Sequence, residues 1–234
     1  MIIIPARLNS TRFDKKILCD IGGMPMFVFT AKRVENIDEV FVALDNENVY
    51  NIAKKFKLKA IMTSQNHQSG TDRINEACKI LGLKDDELII NIQADEPFIE
   101  PENILKFKNF ASACIDKDAF MASCFKRFDI YEDPNLVKVV IDKNDFALYF
   151  SRSKIPYERE KYNDFKAHLG IYAYSARSLR EFCDLGPSPL EKAEKLEQLR
   201  ALENGKKIKM LKLNTKSIGI DSAKDYEMAM RTFF

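Results

Sequence analysis

Short apolar runs alternate with helix-like segments through the first half of the chain. The runs at residues 2–4, 40–44, 59–62 and 88–92 are predicted strands. Nearly continuous apolar runs are typical of strands that are buried on both faces of a parallel sheet. The order strand, helix, strand, helix predicts an α/β fold of the Rossmann-like, doubly wound type, with a mainly parallel sheet.

Local signals mark the helices between these strands. Pro25 and Pro101 each suit a first helical turn, and Ser69 with Asp72 three residues later suits a helix cap that leads to a stop at Gly82. We expect Pro5 to end the first strand, because proline donates no hydrogen bond to a sheet. The predicted helices are 25–35, 45–56, 69–81 and 101–114.

The second half of the chain is less regular. Two β-rich runs, 136–142 and 146–150, flank Lys143-Asn144-Asp145 and predict a hairpin. Ser188 begins a capping box that predicts one helix to 204–205, and Ser222 is the expected cap of a final helix. Further strands are predicted at 119–125, 169–174 and 208–213. We interpret 1–234 as a single domain with a projecting hairpin subregion at about 136–160.

Composition excludes some classes of function. The net charge is +2 over 234 residues with acids and bases interspersed, so we expect no nucleic-acid partner. Five dispersed cysteines without metal-site spacing indicate reduced thiols and a cytoplasmic protein. No apolar run approaches the roughly 20 residues of a membrane-spanning helix, so no membrane partner is expected.

A basic loop follows the first strand directly. It contains Arg7, Arg12, Lys15 and Lys16, with hydroxyl side chains among them. Ligands of open α/β sheets bind beyond the carboxyl ends of strands, and guanidinium groups match phosphate geometry, so the loop indicates an anion site. The alternative is a solvated cationic loop. The loop is neither a Walker A sequence nor a GxGxxG dinucleotide fingerprint.

Two aspartates are candidate metal ligands. Asp95 follows the fourth predicted strand and should lie at the same sheet edge as the basic loop. Since Mg²⁺ is usually held by one or two carboxylates together with substrate phosphates, Asp95 predicts a magnesium site, with Asp221 as a second ligand. The alternatives are a turn aspartate for Asp95 and a cap or turn role for Asp221.

An ordered set of motifs resembles one enzyme family. IPAR-x-x-STR, HQSGTDR, QADEP, LYFSRSKIP, HLGIYAY, PSPLEKAEKLEQLR and GIDS occur in this order across nearly the whole chain. The set resembles the 3-deoxy-manno-octulosonate cytidylyltransferases, or CMP-Kdo synthetases. The resemblance implies that CTP and Kdo, an eight-carbon acidic sugar, give CMP-Kdo and diphosphate with Mg²⁺, for lipopolysaccharide biosynthesis. It also implies a homodimer.

The resemblance assigns roles to residues that match the motifs. The implied triphosphate-binding residues are Arg7, Arg12 and Lys16. Together with Asp95 they form the implied catalytic set. The implied cytidine pocket is Ser69, Gly70, Thr71 and Arg73. The implied magnesium ligands are Asp95 and Asp221. The implied sugar-binding residues are Gln93, Arg152, His168, Tyr172, Glu197 and Gln198.

Plainer interpretations remain open for several of these residues. Ser69 alone would be a helix cap, Arg73 a solvated helix residue, and Arg152 a member of a structural ion pair; Glu197 and Gln198 would lie on a solvated helix face. The chain also departs from the family pattern, with Asp14-Lys15 where Pro-Gly is usual and Ala94 in place of glycine. The spacing favours Lys16 over Lys15 as the phosphate contact.

Competing functions are a cytidylyltransferase for another acidic sugar, of the sialic-acid type, and a non-catalytic nucleotide-binding module. We expect the homodimer to use the hairpin, because an isolated hairpin is only marginally stable and Val139 lies in an apolar run that needs a cover. The alternative is a hairpin that folds back over its own sheet.

Overall fold

A central sheet of nine strands organises the part of the chain that the structure describes, residues 1–8, 13–128 and 133–234 of a computed structural model. The strands of the described residues are β1 (Ile2–Ala6), β2 (Asp20–Ile21), β3 (Met24–Pro25), β4 (Val40–Leu44), β5 (Lys59–Met62), β6 (Leu88–Asn91), β7 (Met121–Arg127), β8 (Lys138–Ile141), β9 (Ala147–Ser151), β10 (Lys166–Ser175) and β11 (Ile208–Lys212). The helices are α1 (Met26–Val34), α2 (Glu47–Lys55), α3 (Gly70–Leu81), α4 (Pro101–Cys114), α5 (Ala176–Asp184), α6 (Pro189–Glu194), α7 (Leu199–Glu203) and α8 (Ala223–Phe233), with a 3-10 helix at Lys16–Leu18.

The sheet has the order β11-β7-β10-β6-β1-β4-β5. Strands β6, β1, β4 and β5 are parallel neighbours, and β11 is parallel to β7. Strand β10 runs antiparallel to both β6 and β7. The carboxyl ends of β1 and β6 therefore lie side by side at one edge of the sheet, as the sequence predicts.

Side-chain alternation in the central strands divides the core between the two faces of the sheet. Ile2 and Ile4 belong to a cluster formed with α1, α2 and α4, whereas Ile3 belongs to a cluster formed with α3, α5 and α7. All three isoleucines are fully buried. Because strand side chains alternate between faces, apolar residues at every position require helices on both sides. The predicted doubly wound, mainly parallel α/β fold is confirmed.

Pro5 does not end the first strand, contrary to the prediction. It continues β1 opposite Ala43 of β4. The pairing of β6 with β1 extends only to Ile3 and Asn91, so the strand beyond Ile3 has lost its neighbour on that side. The missing N–H of a proline is tolerated where no ladder partner is present.

The prediction of one continuous helix over 188–205 is also wrong, because the helix is interrupted in its middle. Ser188 does form the expected capping box with Glu191, but α6 ends after six residues. Lys195 adopts a left-handed conformation, with φ 54° and ψ 47°, and α7 begins only at Leu199. This elbow between α6 and α7 places Glu197 and Gln198 outside regular helix. Helix α5, which follows β10, was not predicted.

The apolar side chains Val139 and Phe150 of the β8–β9 hairpin are buried in the core of the same chain. Strand β8 joins the main sheet through the pairing of Lys138 with Ala167 of β10. Val139 and Phe150 are fully buried in the core cluster on the α3 face. The expectation that these residues need a second chain to cover them is therefore wrong, and Val139 is a core residue. No helix within the described residues is both long and apolar enough to cross a membrane.

Candidate active site

A cavity of about 290 Å³ opens at the carboxyl ends of β1 and β6. Four segments of the chain that are distant in sequence form its wall. These are the end of β1 with the 3-10 helix, the start of α3, the loop after β6, and the segment before α8. The residues that line it are Pro5, Ala6, Arg7, Lys16, Ile17, His67, Gln68, Ser69, Gly70, Arg73, Gln93, Ala94, Asp95 and Asp221.

The basic loop contributes two of its predicted residues to the described cavity wall, Arg7 and Lys16. Arg12, the third predicted phosphate contact, lies outside the described residues. Lys15 does not line the cavity, and it adopts a left-handed conformation with φ 49°. Glycine reaches this conformation most easily, which suits the Pro-Gly that the family resemblance implies at Asp14-Lys15. The backbone of Lys15 thus retains the turn that directs Lys16 inward.

Backbone and side-chain bonds bring the two predicted metal ligands together. The N–H of Ile220 donates to the carbonyl of Asp95 at 2.9 Å. The hydroxyl of Ser217 donates to Glu96 Oε2 at 2.9 Å. Gly219 permits the close approach, because a Cβ there would lie 2.8 Å from Glu96 Oε1. These contacts fix the segment before α8 against the loop after β6 and so place Asp221 beside Asp95.

The ammonium group of Lys16 lies between these carboxylates. Its Nζ is 2.6 Å from Asp95 Oδ2 and 2.8 Å from Asp221 Oδ1, and it also donates to the carbonyl of Ile220 at 3.2 Å. Burial alone would lower the pKa of Lys16, but attraction to Asp95 and hydrogen bonds to both aspartates outweigh it and raise the pKa. The side chain of Lys16 is only 12% exposed, so the interaction is poorly screened by water.

The donor set around this position fits a magnesium ion. Asp95, Asp221 and the Ile220 carbonyl supply only oxygen atoms, and all three already surround one cation. Hard oxygen donors suit Mg²⁺, which commonly takes one or two protein carboxylates and completes its shell with water and phosphate. Within the described residues no group of three or more His, Cys, Asp or Glu side chains forms a metal cluster. Water molecules, and substrate oxygens when substrate is bound, would therefore complete the coordination.

The start of α3 forms the opposite wall. Ser69 caps the helix by accepting from the N–H of Asp72. Gly70 packs against Pro5, whose Cγ would lie 3.2 Å from a Cβ at this position. The first turn of a helix leaves N–H groups without intrahelical partners, and the helix dipole favours an anion there. Ser69 is thus a cap, the plainer of the two interpretations, and it also lines the cavity.

Arg73 lies beneath this wall as a buried anchor. Its guanidinium donates to Thr63 Oγ1 at 2.7 Å, to the Ser64 carbonyl at 3.2 Å and to Asp45 Oδ2 at 3.0 Å. Burial lowers the pKa of Arg73, whereas Asp45 raises it. The solvated-helix interpretation of Arg73 is wrong. The other oxygen of Asp45 accepts from the N–H of Leu8, at the start of the basic loop.

His67 is a cavity residue that the sequence analysis did not nominate. It belongs to the HQSGTDR motif and its Nε2 lies 2.5 Å from Glu76 Oε2. Glu76 Oε2 also accepts from the N–H of Ser64. His67 could have been found from the motif, because a histidine two residues before a helix cap at a ligand-binding sheet edge is a natural donor.

Unsatisfied polar atoms occur beside this wall, at the elbow between α6 and α7. Thr71 donates to Glu197 Oε2 at 2.6 Å, whereas Glu197 Oε1 has no hydrogen-bond partner among the described residues and only a 3.8 Å ion pair with Arg200. Gln198 is 3% exposed; its Oε1 accepts from Tyr172, but no hydrogen-bond partner for its Nε2 occurs in the described part of the chain. Burial raises the pKa of Glu197. Since buried polar groups are nearly always paired, these atoms are candidate ligand contacts, and the solvated-face interpretation of Glu197 and Gln198 is wrong.

His168 is held in one tautomer. Its Nε2 lies 2.8 Å from Ser123 Oγ, which is also 2.8 Å from the carbonyl of Ile171. A hydroxyl has one proton, and a carbonyl can only accept. Ser123 therefore donates to Ile171, His168 donates through Nε2, and Nδ1 remains an acceptor. Burial lowers the pKa of His168 to about 3, so the ring is neutral at physiological pH.

Tyr172 and Gln93 connect this histidine to the cavity. The rings of His168 and Tyr172 lie 5.4 Å apart, and Tyr172 pairs with Asn91 across β10 and β6. Gln93 donates to Asn91 Oδ1 at 3.0 Å and lines the cavity. Five of the six predicted sugar-binding residues thus form one polar region next to the cavity: Gln93, His168, Tyr172, Glu197 and Gln198.

Arg152 is placed differently. Its guanidinium donates to the carbonyl groups of Glu194, Pro134 and Lys195 at 2.7, 3.0 and 3.3 Å. Its own carbonyl accepts from the buried ammonium of Lys138. Arg152 therefore ties the hairpin to the α6–α7 elbow and does not line the cavity. Its predicted contact with the sugar carboxylate stays a prediction.

A parallel sheet whose carboxyl edge presents basic groups, a helix start and paired aspartates is the architecture of a nucleotidyltransferase. The family model described as Cytidylyltransferase matches residues 1–208. Two curated relatives, from a Nitratiruptor species and from Wolinella succinogenes, are each 50% identical and are each called 3-deoxy-manno-octulosonate cytidylyltransferase. Those alignments cover 100% of this chain and 100% and 99% of the relatives.

A solved structure of CMP:2-keto-3-deoxy-manno-octonic acid synthetase complexed with CTP is also similar. It superposes with a TM-score of 0.91 at 35% identity, covering 99% of this chain and 96% of that one. The chain belongs to the 3-deoxy-manno-octulosonate cytidylyltransferase family, as the motifs predict. It is accordingly a nucleotidyltransferase enzyme.

Proposed function

We propose that the chain transfers the cytidylyl group of CTP to 3-deoxy-D-manno-octulosonate, releasing diphosphate. The observation that carries the proposal is the meeting of Asp95 and Asp221 at one cation position in a cavity that Arg7 also lines. Full-length relatives at 50% identity bear the name of this activity. The product, CMP-Kdo, is an activated sugar for lipopolysaccharide assembly.

The reaction is an in-line substitution at the α-phosphorus of CTP. The anomeric hydroxyl of the sugar forms a new P–O bond and loses its proton, while the bond to the β-phosphate oxygen breaks. Such transfers need little covalent chemistry from the protein, so positioning and charge stabilisation dominate. Arg7 and Lys16 are the described cations that would neutralise the triphosphate, and Arg12 is the third that the resemblance implies.

Magnesium is the proposed cofactor. A bound Mg²⁺ would polarise the phosphoryl oxygens and bring the sugar oxygen towards phosphorus. Asp95 would be its principal ligand and Asp221 its second, because both oxygens already face one cation. The loop after β6 contacts α1, since Thr30 Oγ1 lies 2.9 Å from the Ala94 carbonyl and 3.0 Å from that of Met26. The alanine at this family glycine position is therefore compatible with the site.

The sugar is proposed to bind in the polar region formed by Gln93, His168, Tyr172, Glu197 and Gln198. Among the described residues the amide Nε2 of Gln198 has no hydrogen-bond partner, and Oε1 of Glu197 has only a 3.8 Å ion pair with Arg200, which supports a ligand rich in hydroxyl groups. His168 Nδ1 would accept from a sugar hydroxyl. A site that hydrogen-bonds specific hydroxyls discriminates strongly against analogues that lack them, because its buried groups would then be unpaired.

The enzyme is further proposed to act in the cytoplasm as a homodimer. All five cysteines are free thiols, which suits a reducing compartment. The outer face of the hairpin supports the dimer, because Leu148 of β9 is 61% exposed. In the described sheet β9 pairs only with β8, so Leu148 lies on a strand at the margin of the sheet.

The direct test of the proposed substrates is diphosphate release from CTP and Mg²⁺ with either Kdo or N-acetylneuraminic acid as acceptor. We expect release with Kdo and little with N-acetylneuraminic acid. The reverse preference would indicate a sialic-acid-type enzyme. CTP binding without release with either sugar would indicate a nucleotide-binding module.

A further inference from the structure

The contacts of Lys16 use the whole hydrogen-bonding capacity of its ammonium group. An ammonium has three N–H donors. Those of Lys16 reach Asp95 Oδ2, Asp221 Oδ1 and the Ile220 carbonyl at 2.6, 2.8 and 3.2 Å. In this arrangement Lys16 has no donor left for a phosphate oxygen. The residue that is expected to hold the triphosphate is instead bound to the proposed metal ligands.

A metal ion and this ammonium cannot occupy the position together. Mg²⁺ binds oxygen at about 2.0–2.1 Å and requires near-octahedral geometry. An ammonium nitrogen within hydrogen-bond distance of both carboxylates fills the space in which such an ion would bind both. Two cations at this separation would also repel each other strongly in a poorly solvated site. Metal binding by both aspartates therefore requires Lys16 to leave.

We propose that Lys16 is a resident counter-cation of the metal site, and that Mg²⁺ displaces its ammonium to the triphosphate of the nucleotide. The inference rests on the proposed metal role of Asp95 and Asp221 and adds a coupling between the metal and nucleotide sites. With Lys16 bound, the carboxylate pair is partly neutralised in the free enzyme. With the metal bound, the positive charge of Lys16 becomes available in the same cavity.

The local backbone permits this exchange. Lys16 begins the 3-10 helix Lys16–Leu18, and its long side chain lies at the cavity wall. The aspartates are each fixed by backbone contacts, Asp95 through Ile220 and Asp221 through Asp225. Rotation of one flexible lysine side chain is thus enough, and the two carboxylates can stay in place. By linkage, each ligand raises the affinity of the enzyme for the other by the same factor.

The exchange predicts that removal of the Lys16 ammonium group strengthens Mg²⁺ binding. Calorimetric titration of Mg²⁺ into the protein without CTP or sugar compares wild type, Lys16→Met and Lys15→Met. Lys16→Met should bind Mg²⁺ more tightly than wild type, by about tenfold, since no ammonium competes. Lys15→Met, which changes the net charge equally at an adjacent residue outside the cavity wall, should bind like wild type. Equal or weaker binding by Lys16→Met, or binding by neither protein, would overturn the exchange.

A second measurement uses the unaltered protein. Reductive methylation with fragment-ion mapping reports how available each lysine amine is, with Lys15 as the internal reference. Lys16 should react slowly without metal and several-fold faster when Mg²⁺ is added. A rate that Mg²⁺ leaves unchanged would contradict displacement. Neither experiment includes a turnover step, so failure of the proposed sugar transfer would be detected separately, by the diphosphate assay.

Discussion

The carboxylate of Asp45 joins Arg73 to Leu8. Its Oδ2 accepts from Arg73 Nη2 at 3.0 Å and its Oδ1 from the N–H of Leu8 at 3.2 Å. The side chain of Asp45, directly after β4, therefore connects the start of the basic loop to α3, whose first turn forms a wall of the cavity. Neither contact can be inferred from local sequence, because the partners are 37 and 28 residues away.

Loss of this carboxylate should destabilise the fold. The side chains of Arg73 and Asp45 are 3% and 15% exposed, so Asp45→Ala would leave a buried guanidinium without its counter-charge. We expect the free energy of unfolding to fall by about 3 kcal/mol in urea denaturation. Glu35→Ala, which breaks an exposed pair with Lys32, should cost less than about 1 kcal/mol. Additive losses in an Asp45→Ala, Arg73→Met double mutant would show that the pair is not coupled.

Arg152 should contribute to both stability and sugar binding. Arg152→Ala removes three hydrogen bonds to carbonyl groups, two of which, from Glu194 and Lys195, hold the α6–α7 elbow where Glu197 and Gln198 lie. The free energy of unfolding should fall by about 2 kcal/mol, and the KM for Kdo should rise while that for CTP changes little. Arg177→Ala, at an exposed ion pair, is the control. Raised KM without lost stability would mean that Arg152 acts only by touching the sugar.

The elbow shows where sequence reasoning failed and why. Helix caps at Ser69, Ser188 and Ser222 could be predicted because each cap is a contact between residues three apart. The break at Lys195 carries no such signal, since lysine is an ordinary helix residue and its left-handed conformation depends on distant partners. One of them is Arg152, 43 residues away, which donates to the Lys195 carbonyl. The burial of Gln198 could not be predicted for the same reason, because it depends on residues that are distant in sequence.

The candidate site was more predictable than the elbow. Asp95 and the basic loop each follow a buried strand, and parallel neighbouring strands bring such positions to one edge. What could not be foreseen is that Lys16 bonds to the aspartates, because the geometry depends on contacts across 79 and 205 residues. The hairpin was placed correctly in sequence, but the burial of Val139 depends on the pairing of β8 with β10.

His168 should make the stability of the protein depend on pH. Burial lowers its pKa to about 3, below the ordinary value of 6.5, so the folded chain resists protonation there. This contribution is fully present above pH 6.5 and is lost as the pH falls towards the folded pKa. The free energy of unfolding should drop by about 1 kcal/mol per pH unit in this window.

The comparison variant for this effect is His168→Gln, whose amide can still donate to Ser123. Urea denaturation at pH 7, 6 and 5 should show a shallower pH dependence for the variant than for wild type, since the other acidic groups are common to both. Parallel curves would mean that His168 is not the group responsible.

The proposed dimer should depend on the outer face of the hairpin. Leu148→Glu places a charge on an exposed strand and should convert a dimer into a monomer in light scattering at micromolar concentration. Leu105→Glu, at a residue of α4 that is 44% exposed, is the matched control and should remain dimeric. A monomeric wild type would contradict the dimer, and a dimeric Leu148→Glu would move the interface elsewhere.

The most direct test of the account is diphosphate release by Asp95→Asn in the presence of CTP, Kdo and Mg²⁺. The substitution keeps the backbone contact from Ile220 and removes the charge that faces the cation position. We expect turnover to fall at least about 100-fold in a protein whose thermal unfolding shows that it is folded. Asp86→Asn, at an exposed turn, should retain wild-type turnover. Wild-type release by folded Asp95→Asn would contradict the assignment of this cavity as the catalytic site.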